Sequence, residues 1–120
     1  MLMNARTEAP VAQTVELALT SAERRRGLLG RDSMASDSAL VITRCNAVHT
    51  FRMRFAIDIA FVDSSGIVKK IVRSLGPWRM AGALFASTAI EFPAGTLTEN
   101  VLQVGDRVYL TGQRKQIWAA

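Results

Sequence analysis

The sequence predicts a mainly β domain, an antiparallel β-sandwich or partly closed barrel with one or two short helices. Short apolar runs recur at intervals of roughly 8 to 12 residues, separated by Gly, Pro, Asp and Ser turns. Several of these runs alternate apolar and polar side chains, the period of two that a half-buried strand requires. One segment, led by Thr20 and Glu23, carries the signals of a helix start.

Met1 to Pro10 is polar and charged, ends in a proline and lacks the apolar centre of a secretory signal, so it is expected to be a flexible tail, with residues 11–120 forming one domain. Val15, Leu17 and Leu19 then alternate as one face of a strand from Val11 to Leu19. Thr20 and Glu23 form a capping box that predicts a helix from about Ser21 to Leu29, weakened by Gly27 and stopped by Gly30. Asp32 to Ser38 is a polar loop, and Leu40, Val41 and Ile42 make Ala39 to Thr43 a strand. Phe51, Met53 and Phe55 alternate with Thr50, Arg52 and Arg54, which predicts an amphipathic strand with a basic outer face. Cys45 and His49 share the apolar parity, which directs His49 to the core side.

Ile57, Ile59 and Phe61 continue that face to Asp63-Ser64-Ser65-Gly66, a turn into Ile67 to Val72. The pattern is a β-hairpin whose Gly66 takes positive φ. Ser74 to Gly82 holds Pro77 and two glycines and is expected to be a loop, with Trp78 covering a core edge. Ala89 to Phe92 forms a strand ended by Pro93-Ala94-Gly95, and Thr96 to Asn100 is at most a turn of helix. Gly105-Asp106 turns into a strand from Arg107 to Thr111, and Gln116-Ile117-Trp118 adds a last edge strand.

The chain has 120 residues, 49% hydrophobic and 21% charged, which suits a single domain with one core and no need of a metal or disulfide. Cys45 is alone and cannot form an intrachain disulfide. No run approaches the roughly 18 to 20 apolar residues of a membrane-spanning helix, and the cytoplasm is the default expectation for its location. The net charge is +5, with a sequence pI near 10.4, which raises nucleic acid, anionic lipid or an acidic ligand as partners. Arg24, Arg25 and Arg26 are the one tight basic run, and no basic stretch interleaves stacking aromatics in the manner of single-strand binders.

Three blocks together resemble a known family. Thr20 to Arg31, reading Thr-Ser-Ala-Glu-Arg-Arg-Arg-Gly-Leu-Leu-Gly-Arg, is similar to the early Glu-Arg-x-x-Gly-Leu-x-x-Arg motif of the DUF192 family, also called UPF0127. Cys45 to Asp63, with His49-Thr50-Phe51, Met53-Arg54-Phe55 and Ile57-Asp58, resembles its central block. Ile90 to Thr96 followed by Gly105-Asp106 resembles its C-terminal block. Arg52 and Ala56 depart from the glycine and proline common at those places. The resemblance implies a compact, mostly β, jelly-roll-like sandwich and no established reaction.

Five residues are candidate ligand contacts: His49, Asp58, Glu91, Arg24 and Arg31. His49 changes charge near neutrality and suits a general base, or else a hydrogen-bonded core residue. Asp58 and Glu91 stand in apolar sequence, where a carboxylate needs either a chemical task or a set of backbone amides to accept. Arg24 and Arg31 offer forks for an anion, or an ordinary exposed helix face. Cys45 and His49 lie about 13 Å apart on an extended strand, too far for a nucleophile pair. With no second cysteine or histidine, no metal and no cofactor are expected. The residues together suggest a binding or accessory module for a small polar ligand such as a carbohydrate. The alternatives are a hydrolase using His49 with Asp58 or Glu91, and a basic nucleic-acid-associated protein.

Overall fold

The computed structural model describes residues 1–119. In chain order its elements are β1 (Leu2–Asn4), β2 (Ala9–Ala12), β3 (Thr14–Ala18), α1 (Ser21–Arg26), β4 (Ser38–Thr43), β5 (Ala47–His49), β6 (Ile57–Val62), β7 (Val68–Leu75), β8 (Met80–Gly82), β9 (Thr88–Pro93) and β10 (Val108–Leu110), followed by a 3-10 turn, Ile117–Ala119. The molecule is mainly β, built on three sheets, with no closed barrel among the described residues. A five-stranded sheet runs in the order β3-β4-β9-β6-β7, a three-stranded sheet in the order β10-β1-β2, and β5 and β8 pair as a ribbon.

The central sheet is not purely antiparallel, as the sequence had suggested. β3 and β4 run parallel, and α1 with the loop after it supplies the long crossover that such a pair needs. β4 and β6 are buried along their whole length because both faces of the sheet are covered, which is why their sequences read as continuous apolar runs. Cross-strand partners share a face. Val41, Ile90 and Ala60 line up on one, against Leu2, Val11, Leu102 and Trp118; Leu40, Glu91 and Ile59 line up on the other, against Leu28 and Met53.

The capping box forms: Glu23 N donates to Thr20 Oγ1 at 3.1 Å and Thr20 N to Glu23 Oε1 at 3.0 Å. The helix stops at Arg26, earlier than expected, because Gly27 leaves the helical region at φ +47. The β6–β7 hairpin is present with Gly66 at φ +81.

Other expectations also need correction, among them the loop expected over Ser74 to Gly82, which holds the end of β7 and all of β8. Met1 to Pro10 is not a flexible tail: it contributes β1 and the start of β2, with Leu2 fully buried. Its polar residues have partners, since Asn4 Nδ2 donates to Asp106 Oδ2 at 2.9 Å and Arg6 Nε to Asp106 Oδ1 at 2.6 Å. Phe51 to Phe55 is a pair of turns rather than a strand. Thr50 imposes them, because its buried Oγ1 donates to Gly76 O at 2.6 Å and accepts from Arg79 N at 2.9 Å, while its carbonyl accepts from Met53 N at 3.0 Å. Trp78 covers no core edge and stacks instead on exposed Phe51. The C-terminal edge strand is a 3-10 turn that buries Trp118, tied back by Gln116, whose Oε1 accepts from Leu110 N.

Candidate functional site

Glu91 stands in the middle of a hydrophobic sheet face, with Leu40 and Ile59 directly across from it on the neighbouring strands. Only 3% of the residue is exposed, and no described residue gives its carboxyl a hydrogen bond. Burial pushes the acid up to about 7, against a smaller pull downward from the Arg31 guanidinium.

A cavity of about 290 Å³ opens over this carboxyl. Its walls come from three places. The end of α1 and the turn after it contribute Arg24 to Leu29, the edge ribbon contributes Ala47, Val48 and His49, and Ile42, Cys45 and Met53 complete the lining. Gly27, held at φ +47, borders this space: a Cβ there would stand in ordinary contact, 3.8 Å from Glu91 Oε1 and 3.9 Å from Ile42 Cδ1. A side chain at that position would press into the space above the acid.

The candidate residues do not all converge. His49 and Glu91 line the same cavity, and Arg24 stands at its edge. Asp58 faces the other way, because its neighbour Ile59 shares the Glu91 face and successive strand residues alternate. There it is a buried structural acid, accepting from Ser74 N at 2.8 Å, Leu97 N at 2.9 Å and Gly95 N at 3.0 Å. Arg31 lies outside the cavity and forks onto Glu16 at 2.7 and 3.1 Å. Arg24 folds back to donate to Leu19 O and Ser21 Oγ.

His49 is exposed on β5, not directed into the core as its parity had implied. Its Nδ1 accepts from Phe51 N at 3.3 Å, so the neutral ring carries its proton on Nε2. Cys45 donates its thiol to Ala47 O at 3.1 Å, and burial pushes the thiol up, which keeps it protonated and poorly nucleophilic. Among the described residues no group of three His, Cys, Asp or Glu side chains is placed to hold a metal.

Sequence reasoning missed the wall made by Gly27, Leu28 and Met53. A signal was present, since Gly27-Leu28 falls in the first motif block, but its proximity to Glu91 depends on the β3–α1–β4 crossover. The chamber thus presents a carboxyl whose neutral form persists to near neutral pH, a form that can both donate and accept a hydrogen bond.

Comparison with known proteins agrees on the fold. The DUF192 family, described as an uncharacterised ACR, matches residues 2–110. A crystal structure of a protein of unknown function from Novosphingobium aromaticivorans DSM 12444 superposes with a TM-score of 0.73 at 23% identity, covering 80% of this chain and 74% of its own. A proposed transcription regulator from Sinorhizobium meliloti 1021 superposes with a TM-score of 0.70 at 26% identity, covering 78% of each chain. No curated protein matches the chain at a comparable level.

Proposed function

For this chain, which belongs to the DUF192 family, we propose a binding or accessory role: the Glu91 cavity holds a small polar ligand such as a carbohydrate. The observation that supports it is a buried carboxyl without a protein partner, open to a chamber. A buried acid in that state costs free energy, and a ligand hydroxyl supplies the missing hydrogen bond whether Glu91 is protonated or not. The cavity is at the small end of ligand sites, which suits a molecule of monosaccharide size. His49 and the arginines at the end of α1 line the same cavity and are the candidates to meet the ligand's outer groups.

A thermal-shift panel of monosaccharides, sugar acids, nucleotides and organic acids tests the reading. A ligand at a hundredfold excess over its Kd adds about 2.7 kcal/mol of stability, and Glu91→Ala abolishes that gain. Silence of the folded protein across the whole panel would remove the proposal.

Glu91 near neutrality, in the same cavity as His49, favours a hydrolase as the second reading. It requires turnover of a glycoside or ester that Glu91→Gln eliminates. Asp58 has no part in it.

A further inference from the structure

The β5–β8 ribbon carries an apolar strip that the cavity does not use. Its register pairs Val48 with Ala81 and His49 with Met80. Val48 and Ala81 pack inward on the core, so alternation turns His49 and Met80 outward. Past one end of the ribbon, Phe51 stacks on Trp78 with centroids 5.9 Å apart and lies 4.9 Å from the His49 ring. Past the other end the chain turns through Leu84 and Phe85. Exposure runs from 38% for Phe51 through 61% for Trp78, 70% for Met80 and 82% for Leu84 to 86% for Phe85. Single exposed apolar residues are ordinary; five large ones on one short ribbon and its two flanks are not. Trp78 and Phe85 also hold left-handed backbone, φ +63 and +67, a conformation that bulky residues rarely adopt.

The segments that build this strip carry charge of one sign. No acidic residue occurs between Asp37 and Asp58 or between Asp63 and Glu91, and those two stretches supply every residue of the ribbon and its flanks. They carry Arg44, Arg52, Arg54, Lys69, Lys70, Arg73 and Arg79. Arg54 pairs with Asp32 and Lys69 with Asp63; of the five without an ion pair among the described residues, Arg52 and Arg79 adjoin Phe51, Trp78 and Met80 in the chain and Lys70 Nζ donates to Gly82 O of β8.

We infer that this ribbon docks the protein on the surface of an anionic lipid bilayer. Leu84, Phe85, Met80, Trp78 and Phe51 enter the boundary between headgroups and acyl chains, and Arg52, Lys70 and Arg79 meet lipid phosphates. A single-stranded nucleic acid would stack on Phe51 and Trp78 and pair with the arginines, but it gains nothing from exposed Leu84 and Met80. A second copy of the chain would bring like charge against like.

The test uses the full chain with vesicles of phosphatidylcholine alone and of phosphatidylcholine with equal phosphatidylglycerol. Trp118 is buried and Trp78 is not, so insertion reads out as a blue shift of Trp78 emission together with co-sedimentation. The expected result is strong binding to the anionic vesicles and weaker binding to the neutral ones. Leu84→Ser with Phe85→Ser lowers affinity roughly tenfold or more, and Arg52→Gln or Arg79→Gln lowers it about fivefold each. Unchanged melting of these surface variants shows that the fold is intact. Absence of vesicle binding, full binding by the Leu84/Phe85 double variant, uptake of an oligonucleotide in place of lipid, or self-association through the strip overturns the inference.

Discussion

Glu91 is an acid that the folded chain prefers to keep neutral. Its folded value of about 7 lies above its ordinary 4.5, so the proton it holds stabilises the native state fully below pH 4.5. That contribution is lost as pH rises through about 7, and a displacement of this size corresponds to about 3 kcal/mol. Glu91→Gln keeps the shape without the charge. Denaturant titrations of this variant across pH are expected to lose the decline between 4.5 and 7 and to show higher stability than the parent above 7. A parallel decline in both proteins would show that Glu91 is not its source. Asp106 has the opposite sign: the Arg6 guanidinium bonded to it, with Gln103 N and Asn4, holds it below the usual carboxylate range, so its contribution is lost as pH falls through that lowered value. Asp58 and Glu91 looked alike in sequence, each an acid among apolar residues. The structure separates them by strand parity and by partners that arrive from residues 74, 95 and 97, which no local pattern reveals.

Elements whose determinants are local were legible in the sequence. The capping box needs only Thr20 and Glu23, and the hairpin needs only alternation on both arms and a glycine in the turn. Gly66 has a further duty: a Cβ there would stand 2.7 Å from both Trp118 Nε1 and Val108 O. Left-handed backbone and this close approach act together, so Gly66→Ala is expected to cost at least about 2 kcal/mol in urea unfolding. Loss of less than half that amount would mean that the C-terminal turn gives way freely. Residues 50–56 were misread because alternation alone looks like a strand. What bends them is the Thr50 hydroxyl and its distant partners at Gly76 and Arg79. The same distance hid the inner wall of the cavity, for Gly27 meets Glu91 only after the parallel crossover has formed.

The whole molecule is a sheet covered on both sides, by the β10-β1-β2 sheet on one and by Leu28 and Leu29 after α1, the ribbon and Met53 on the other. Its radius of gyration, 12.8 Å, is slightly under the roughly 13.6 Å expected of 120 residues. Composition and strand spacing made the β class legible; the layering was not, because the covering strands β1 and β10 are three residues each and are separated by nearly the entire chain. Deleting residues 1–10 removes Leu2 from its core and the middle strand of the covering sheet. The truncated protein is expected to lose more than about 3 kcal/mol or its cooperative melt altogether. A sharp melt near the parental temperature would show that the cover is dispensable.

The pairing of β1 with β10, Leu2 opposite Leu110, also sets an order of events during synthesis. Strand β1 leaves the ribosome about a hundred residues before β10, and until β10 follows it can pair only with β2, leaving its other edge open. Hairpins such as β6–β7 close as soon as both arms are out, but the covering sheet closes only after Val108–Leu110 has emerged. A nascent chain stalled before Val108 therefore presents an unpaired strand edge beside an uncovered apolar face, and this is the stage at which a chaperone has most to hold.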